Sequence, residues 1–158
     1  MTTVSVALAT YNGGRYIDEQ LDSLARQSRL PDELVAADDG SCDDTVARLE
    51  AFAATAPFPV RLHRNDRRLG YRANFLGAAN RCRSELVAFC DQDDVWDERK
   101  LLACIEPFGE PDVLLAYHDA VTITGAGAPI ARLGQLPAPP ISACLSSPPM
   151  SYALGFTQ

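Results

Sequence analysis

Apolar residues in this chain alternate between short unbroken runs and longer stretches in which they recur every three or four positions. "VSVALA", Val4 to Ala9, has no polar alternation, which predicts a strand buried on both faces. Ile17, Leu21 and Leu24 then recur at helical spacing. "LVAA", Leu34 to Ala37, predicts a second strand. After it, Ser41 with Asp44 three residues on resembles a capping box opening a helix through Val46, Leu49 and Ala53. "VRLH", Val60 to His63, predicts a third strand before a helix carrying Phe75, Leu76 and Ala79. "LVAFC", Leu86 to Cys90, predicts a fourth, with a helix behind it along Leu101, Ile105 and Phe108. "DVLLAY", Asp112 to Tyr117, predicts a fifth strand, and the Pro-rich segment Leu136 to Pro149 a loop. Repeated β-α alternation implies a three-layer α/β fold with right-handed crossovers and a mainly parallel sheet.

In this order each strand is followed by a polar segment: "TYNGG", "DDGS", "RNDRR", "DQDD" and "HDA". These loops share the carboxyl edge of a doubly wound sheet, with a crevice where strand order reverses, expected between strands one and four. Asp39 and Asp91 can then face one ligand. Asp91, Asp93 and Asp94 fall within four positions, and carboxylates so close raise one another's pKa unless a cation or a shared proton relieves them.

Composition narrows the choice of partner. The chain has 158 residues, 47% of them hydrophobic, which is one domain's worth of core. A formal charge of -7 argues against nucleic acid. No apolar run is long enough to cross a bilayer and no signal pattern opens the chain, so a cytoplasmic location is expected. Cys42, Cys82, Cys90, Cys104 and Cys144 lack metal-ligand spacing and are expected to be structural. Arg61, Arg64, Arg67, Arg68 and Arg72 cluster against a single acid, Asp66: either a solvated face or an attraction for phosphate.

A nicotinamide site would need a glycine-rich first turn, and "TYNGGRY" lacks the third glycine of that fingerprint. "DQDDV" also fits the DxDx(V/T) motif of haloacid-dehalogenase-like phosphohydrolases, whose first Asp is a nucleophile. Those enzymes carry it on the first core strand, with a Lys and an acidic pair well downstream. Here Lys100 follows within a few residues and the pair Asp38 and Asp39 precedes the motif. Taken together, "VSVALATYNGGRYIDEQLDSL", "PDELVAADDGSCDDT", "LGYRANF" and "LVAFCDQDDVWDERK" resemble, in order and spacing, the N-terminal half of family 2 glycosyltransferases of the GT-A fold. The resemblance covers roughly residues 3 to 125, and the "FCDQDDVW" form is most similar to rhamnosyl and related sugar transferases of bacterial surface polysaccharides.

The resemblance implies a Rossmann-like nucleotide-sugar-binding fold, with residues 1–125 the donor-binding domain and 126–158 the start of an acceptor-side region. It implies that Thr10 and Tyr11 pack on the nucleotide base and ribose and that Asp39 accepts from the base imide. Asp91-Gln92-Asp93 matches the DxD motif: Asp91 near the ribose, and Asp93 with Asp91 on a Mg²⁺ or Mn²⁺ ion bridging the diphosphate. Arg64 and Arg72 are the arginines expected to face the diphosphate. Asp38, Asp43 and Asp44 are expected to do turn and helix-start work, and Trp96 to lie in the core. His118 and Asp119 could border the sugar, and neither they nor His63 receive a catalytic role. The implied activity is transfer of a sugar, with inversion, from a UDP- or dTDP-sugar to a saccharide or lipid-linked saccharide acceptor, in the cytoplasm or at the inner membrane face. The general base is expected past Gln158, since the family's next motif begins at "ALGFTQ". A nucleotide-binding module without catalysis is the alternative.

Overall fold

The computed structural model describes residues 2–118, 120–124, 129–133 and 151–153. A central sheet contains β1 (Val4–Thr10), β2 (Glu33–Asp38), β3 (Val60–Arg64), β4 (Leu86–Asp91), β5 (Leu115–Ala116) and β8 (Ser151–Ala153). Its order is β3-β2-β1-β4-β8-β5, and every pairing in it is parallel. A separate antiparallel pair is made by β6 (Ala120–Ile123) and β7 (Pro129–Leu133). The helices are α1 (Ile17–Ala25), α2 (Thr45–Ala53), α3 (Tyr71–Ala79) and α4 (Lys100–Ile105), the last running into a 3-10 turn over Glu106–Gly109.

Side-chain alternation along each strand makes the three layers. Val4, Val6 and Leu8 of β1 join Leu34, Ala36, Leu86 and Ala88 on one face, packed by Ile17, Leu21 and Leu24 of α1, Leu49 of α2 and Leu101 of α4. On the other face Ala7, Ala37 and Val87 meet Ala78 and Ala79 of α3. Small side chains on both partners let that helix lie close to the sheet. With both faces covered, alternating polar positions disappear from β1 and β2, which is why those strands read as unbroken apolar runs.

Three sequence expectations need correction. The fifth strand is only Leu115–Ala116, and it is separated from β4 by β8. Phe108 lies in the 3-10 turn, since Pro107 cannot continue the α-helical hydrogen bonding. Ser41 does not cap α2: its hydroxyl donates to Asp38 Oδ1 while it accepts from Asn12 N–H at 2.9 Å. Asp43 serves the helix start instead, accepting from Thr45 N–H at 3.1 Å and from Gly14 N–H at 3.0 Å. The Pro-rich segment, Cys144 and Asp119 lie outside the described residues.

Two clasps fix the ends of the sheet. At the amino end, Glu33 accepts from Ser5 Oγ at 2.7 Å, Arg83 N–H at 2.7 Å, and Arg61 Nε and Nη2 at 2.9 and 2.8 Å. Arg61 is thereby taken out of the arginine cluster. At the carboxyl end, the Gln92 side chain grips the Tyr11 backbone, accepting from its N–H at 2.8 Å and donating to its carbonyl at 3.1 Å. Gly13 permits this approach, because a Cβ there would collide with Gln92 Oε1.

Burial pushes the Glu33 pKa up, but the Ser5 hydroxyl, the Arg83 N–H and the Arg61 guanidinium outweigh it and hold the carboxyl below its ordinary value. A depressed pKa gives stability that is present above the unfolded value, about 4.3, and lost as pH falls through the folded one. Urea unfolding of wild type and Glu33→Gln should therefore show a stability gap that is widest near neutrality and closes below about pH 4. At the other clasp, Gly13→Ala should destabilise by about 1–3 kcal/mol, as should Gln92→Ala. The double variant should cost less than the sum, because both act on one contact.

Candidate functional site

Parallel pairing on both sides of β1 sets Thr10 opposite Asp38 and Ala9 opposite Asp91. The reversal of strand order thus falls between β1 and β4, and the first, second and fourth loops meet at the carboxyl edge. Thr10, Asp38 and Asp91 lie far apart in the chain, so the sheet register brings them together.

Asp38 is fully buried and spent on structure. It accepts from Thr10 Oγ1 at 3.1 Å, Gly40 N–H at 3.1 Å and Ser41 N–H at 2.9 Å. Thr10 therefore turns its hydroxyl to Asp38. Asp39 is 3% exposed, and its carboxylate accepts from Leu69 N–H at 2.7 Å, Gly70 N–H at 2.8 Å and Asn65 Nδ2 at 2.9 Å. Burial pushes its pKa up, yet these donors and the Arg68 charge outweigh that and keep it ionised. Three donors leave room for about one more, since a carboxylate offers roughly four lone-pair sites. Gly70 adopts a positive φ of 84°, a conformation that glycine reaches without steric cost, and so aims its N–H at Asp39 at the mouth of α3. Asn74 locks the helix behind it, donating to Ala37 O at 2.9 Å and accepting from Asn65 Nδ2 at 2.9 Å.

The acids after β4 have the opposite surroundings. Burial, then the charges of Asp94 and Asp93, push the Asp91 pKa to about 7, against which Lys100 acts only in part. This is the mutual repulsion of neighbouring carboxylates expected from the sequence. Tyr71 faces the same charges: burial and then Asp91, Asp94 and Asp93 raise its hydroxyl pKa. Among the described residues, no group of three or more His, Cys, Asp or Glu side chains is arranged to hold a metal ion by itself. Asp91, desolvated beside further carboxylates, still fits a divalent ion completed by a neighbouring carboxylate and ligand phosphates.

The positive residues divide by location. Arg64 donates to Ser41 O at 3.1 Å and stands 3.9 Å from Asp38. Arg68 stacks on the Tyr11 ring, 3.9 Å from its centroid, and reaches to 4.0 Å from Asp39. Arg72 lies on the exposed side of the first turn of α3. Gln92, Tyr71 and Lys100 are the site neighbours to which sequence reading gave no part in the site, whereas Arg68 was read as one of the arginine cluster. "LGYRANF" and "DQDD" contain two of them, but nothing in their spacing says which way they face. Trp96 is core, 4% exposed. His63 pairs with Arg81 at 2.9 Å, away from the acids. Among the cysteines Cys90 is buried, whereas Cys42 is exposed, contrary to a purely interior role.

Comparison with known proteins bears on the family and the fold. A dTDP-rhamnosyl transferase of Shigella flexneri is 30% identical over 103 residues, which cover 63% of this chain and 36% of that protein. The crystal structure of Staphylococcus aureus TarS 1-349 in complex with UDP superposes with a TM-score of 0.63 at 28% identity, over 73% of this chain and 35% of that one. A mannosyltransferase of Pyrobaculum calidifontis in complex with GDP-Man and Mn²⁺ gives 0.68 at 27% identity, over 75% and 36%. The chain thus spans little more than a third of the length of each. The model of glycosyl transferase family 2 matches residues 5–144, and with the strand order and loop chemistry described above this makes the chain a member of that family, with a GT-A-like α/β fold.

Proposed function

We propose that this protein binds a UDP- or dTDP-sugar in the crevice between β1 and β4 and transfers the sugar, with inversion, to a hydroxyl acceptor in cell-surface polysaccharide synthesis. The observation that carries this reading is the meeting of Tyr11, Asp39 and Asp91 at one sheet edge, with Asp91 desolvated and lacking a full counter-charge. Similarity to a dTDP-rhamnosyl transferase and to a protein solved with UDP supports the donor class. Residues 1–125 would serve the donor and 126–158 begin the acceptor side. A saccharide on a lipid carrier would place the work at the inner membrane face; among the described residues no helix is long and apolar enough to cross a membrane.

In this reading the Tyr11 ring and the remaining acceptor site of Asp39 orient the base, with Thr10 fixing the loop through Asp38. Arg64 and Arg72 lend positive charge toward the diphosphate. Asp91 and Asp93 would hold Mg²⁺ or Mn²⁺, an ion that stabilises the negative charge of the departing diphosphate. The acceptor oxygen attacks the anomeric carbon as the bond to the diphosphate oxygen breaks. The electron pair leaves with the diphosphate, and the acceptor proton passes to a base on the acceptor side. Attack from the face opposite the leaving group inverts the anomeric centre.

Calorimetry should show UDP or dTDP binding more tightly with Mn²⁺ or Mg²⁺ than with chelator, and Asp93→Asn should abolish most of the difference. Equal affinity in metal and chelator would overturn the reading, and hydrolysis of p-nitrophenyl phosphate through Asp91 would replace it with a phosphohydrolase. Asp39→Ala should weaken UDP and dTDP alike by about 1.5–3 kcal/mol, the range for a hydrogen bond to a charged group. Full affinity in that variant would place the base elsewhere.

A further inference from the structure

The base-binding end of the proposed site already holds a planar, nitrogen-bearing group of the protein's own. The Arg68 guanidinium lies over the Tyr11 ring, 3.9 Å from its centroid, and its Nε stands 4.0 Å from Asp39 Oδ2. The two carboxylate oxygens of Asp39 are unequally used. Oδ1 accepts from both Leu69 N–H at 2.7 Å and Asn65 Nδ2 at 2.9 Å, whereas of the three donors only Gly70 N–H, at 2.8 Å, goes to Oδ2. A carboxylate oxygen offers about two lone-pair sites, so the acceptor position left over is on Oδ2, the oxygen that Arg68 faces.

The backbone around this contact is fixed, and the contact itself is loose. Tyr11 is clamped by Gln92, and the loop that carries Arg68 is tied on both sides, by Asn65 N–H to Asp38 O at 2.9 Å and by the Leu69 and Gly70 N–H groups to Asp39. The Arg68 side chain is 64% exposed, and 4.0 Å lies beyond hydrogen-bond reach. A cation on an exposed ring face and a screened ion pair each contribute a factor of only about two to five to an equilibrium. The guanidinium can therefore leave while the loop stays. A uracil or thymine ring offers the same two contacts in stronger form: it stacks on the tyrosine, and its imide N–H can donate to the open Oδ2 position at hydrogen-bond distance.

We propose that Arg68 is an internal stand-in for the nucleotide base: it covers the Tyr11 face and the open Asp39 position in the free protein, and it sets the site's preference for a nucleotide over a nucleoside. A base must displace it. Because the backbone next to Arg68 stays pinned to Asp39, the displaced guanidinium remains beside the site, where a diphosphate gives it an anionic partner and a neutral nucleoside gives it none. The identity of the ligand rests on the donor reading above, whereas the contacts of Arg68 with Tyr11 and Asp39 do not.

The test compares wild type with Arg68→Ala, titrating each with uridine and with UDP in Mg²⁺ and following binding by NMR. Losing the guanidinium should let uridine bind roughly fivefold more tightly, because the base no longer displaces a cation–π contact and an ion pair. UDP should gain less, since it also loses a partner for its diphosphate, so the ratio of UDP to uridine affinity should fall roughly threefold or more. An arginine that merely lined a base held elsewhere on the ring would give the opposite sign, a loss of uridine affinity. The second readout is the Arg68 Nε–H proton, assigned by its disappearance in Arg68→Ala. Shielded by the Tyr11 ring in the free protein, it should move downfield as uridine is added. Uridine affinity unchanged or lowered in the variant, an unchanged UDP-to-uridine ratio, or an Nε–H signal that stays in place while either ligand binds, would overturn the proposal and leave the donor reading standing. Failure of both ligands to bind wild type and variant alike would overturn the two together.

Discussion

The parallel pairing of β1 with β2 on one side and β4 on the other is the constraint on which the site depends. It is enforced by burial: both faces of these strands are covered, so a one-residue slip would turn every apolar side chain to the wrong layer. The same register carries Asp38 and Asp91 to either side of the end of β1. Packing free energy from the apolar core therefore holds acidic groups in positions that no local interaction would choose.

Those acids are alike in chemistry and opposite in environment. Asp38 and Asp39 are buried among N–H donors, and for Asp39 the donors outweigh the burial and keep the carboxylate ionised at neutral pH. Asp91 is desolvated without comparable donors and lies beside two further carboxylates, which drives it toward protonation. The first pair has become part of the scaffold, with Asp39 organising the turn into α3. The second group stores unfavourable charge that a cation relieves. This division is the one the proposed donor site calls for, with one edge to position a base and the other to receive metal and diphosphate.

The basic residues show how little a cluster in sequence says about a cluster in space. Arg61 and Arg64 stand at opposite ends of β3, a strand of five residues, so one clasps Glu33 at the amino edge while the other reaches Ser41 at the carboxyl edge. Arg68 folds back on Tyr11, from which it is separated by two strands and two helices in the chain.

The four long strands, the three-layer architecture and the gathering of polar loops at one edge were legible in the sequence, because unbroken apolar runs and helical spacing are set by burial and report it directly. The repulsion among Asp91, Asp93 and Asp94 was legible too, since proximity along a chain guarantees proximity in space. The partner of each polar side chain was not. Ser41 has the spacing of a helix cap, and tertiary structure gave it to Asp38. Gln92 reads as a spacer between two acids and became a clamp on Tyr11. Lys100 enters the sequence reading only as a lysine placed too early for a phosphohydrolase, and tertiary structure set it on Trp96. A hydrogen bond or an ion pair is worth little until burial removes the competing water, and which groups lose their water is decided only when the layers close.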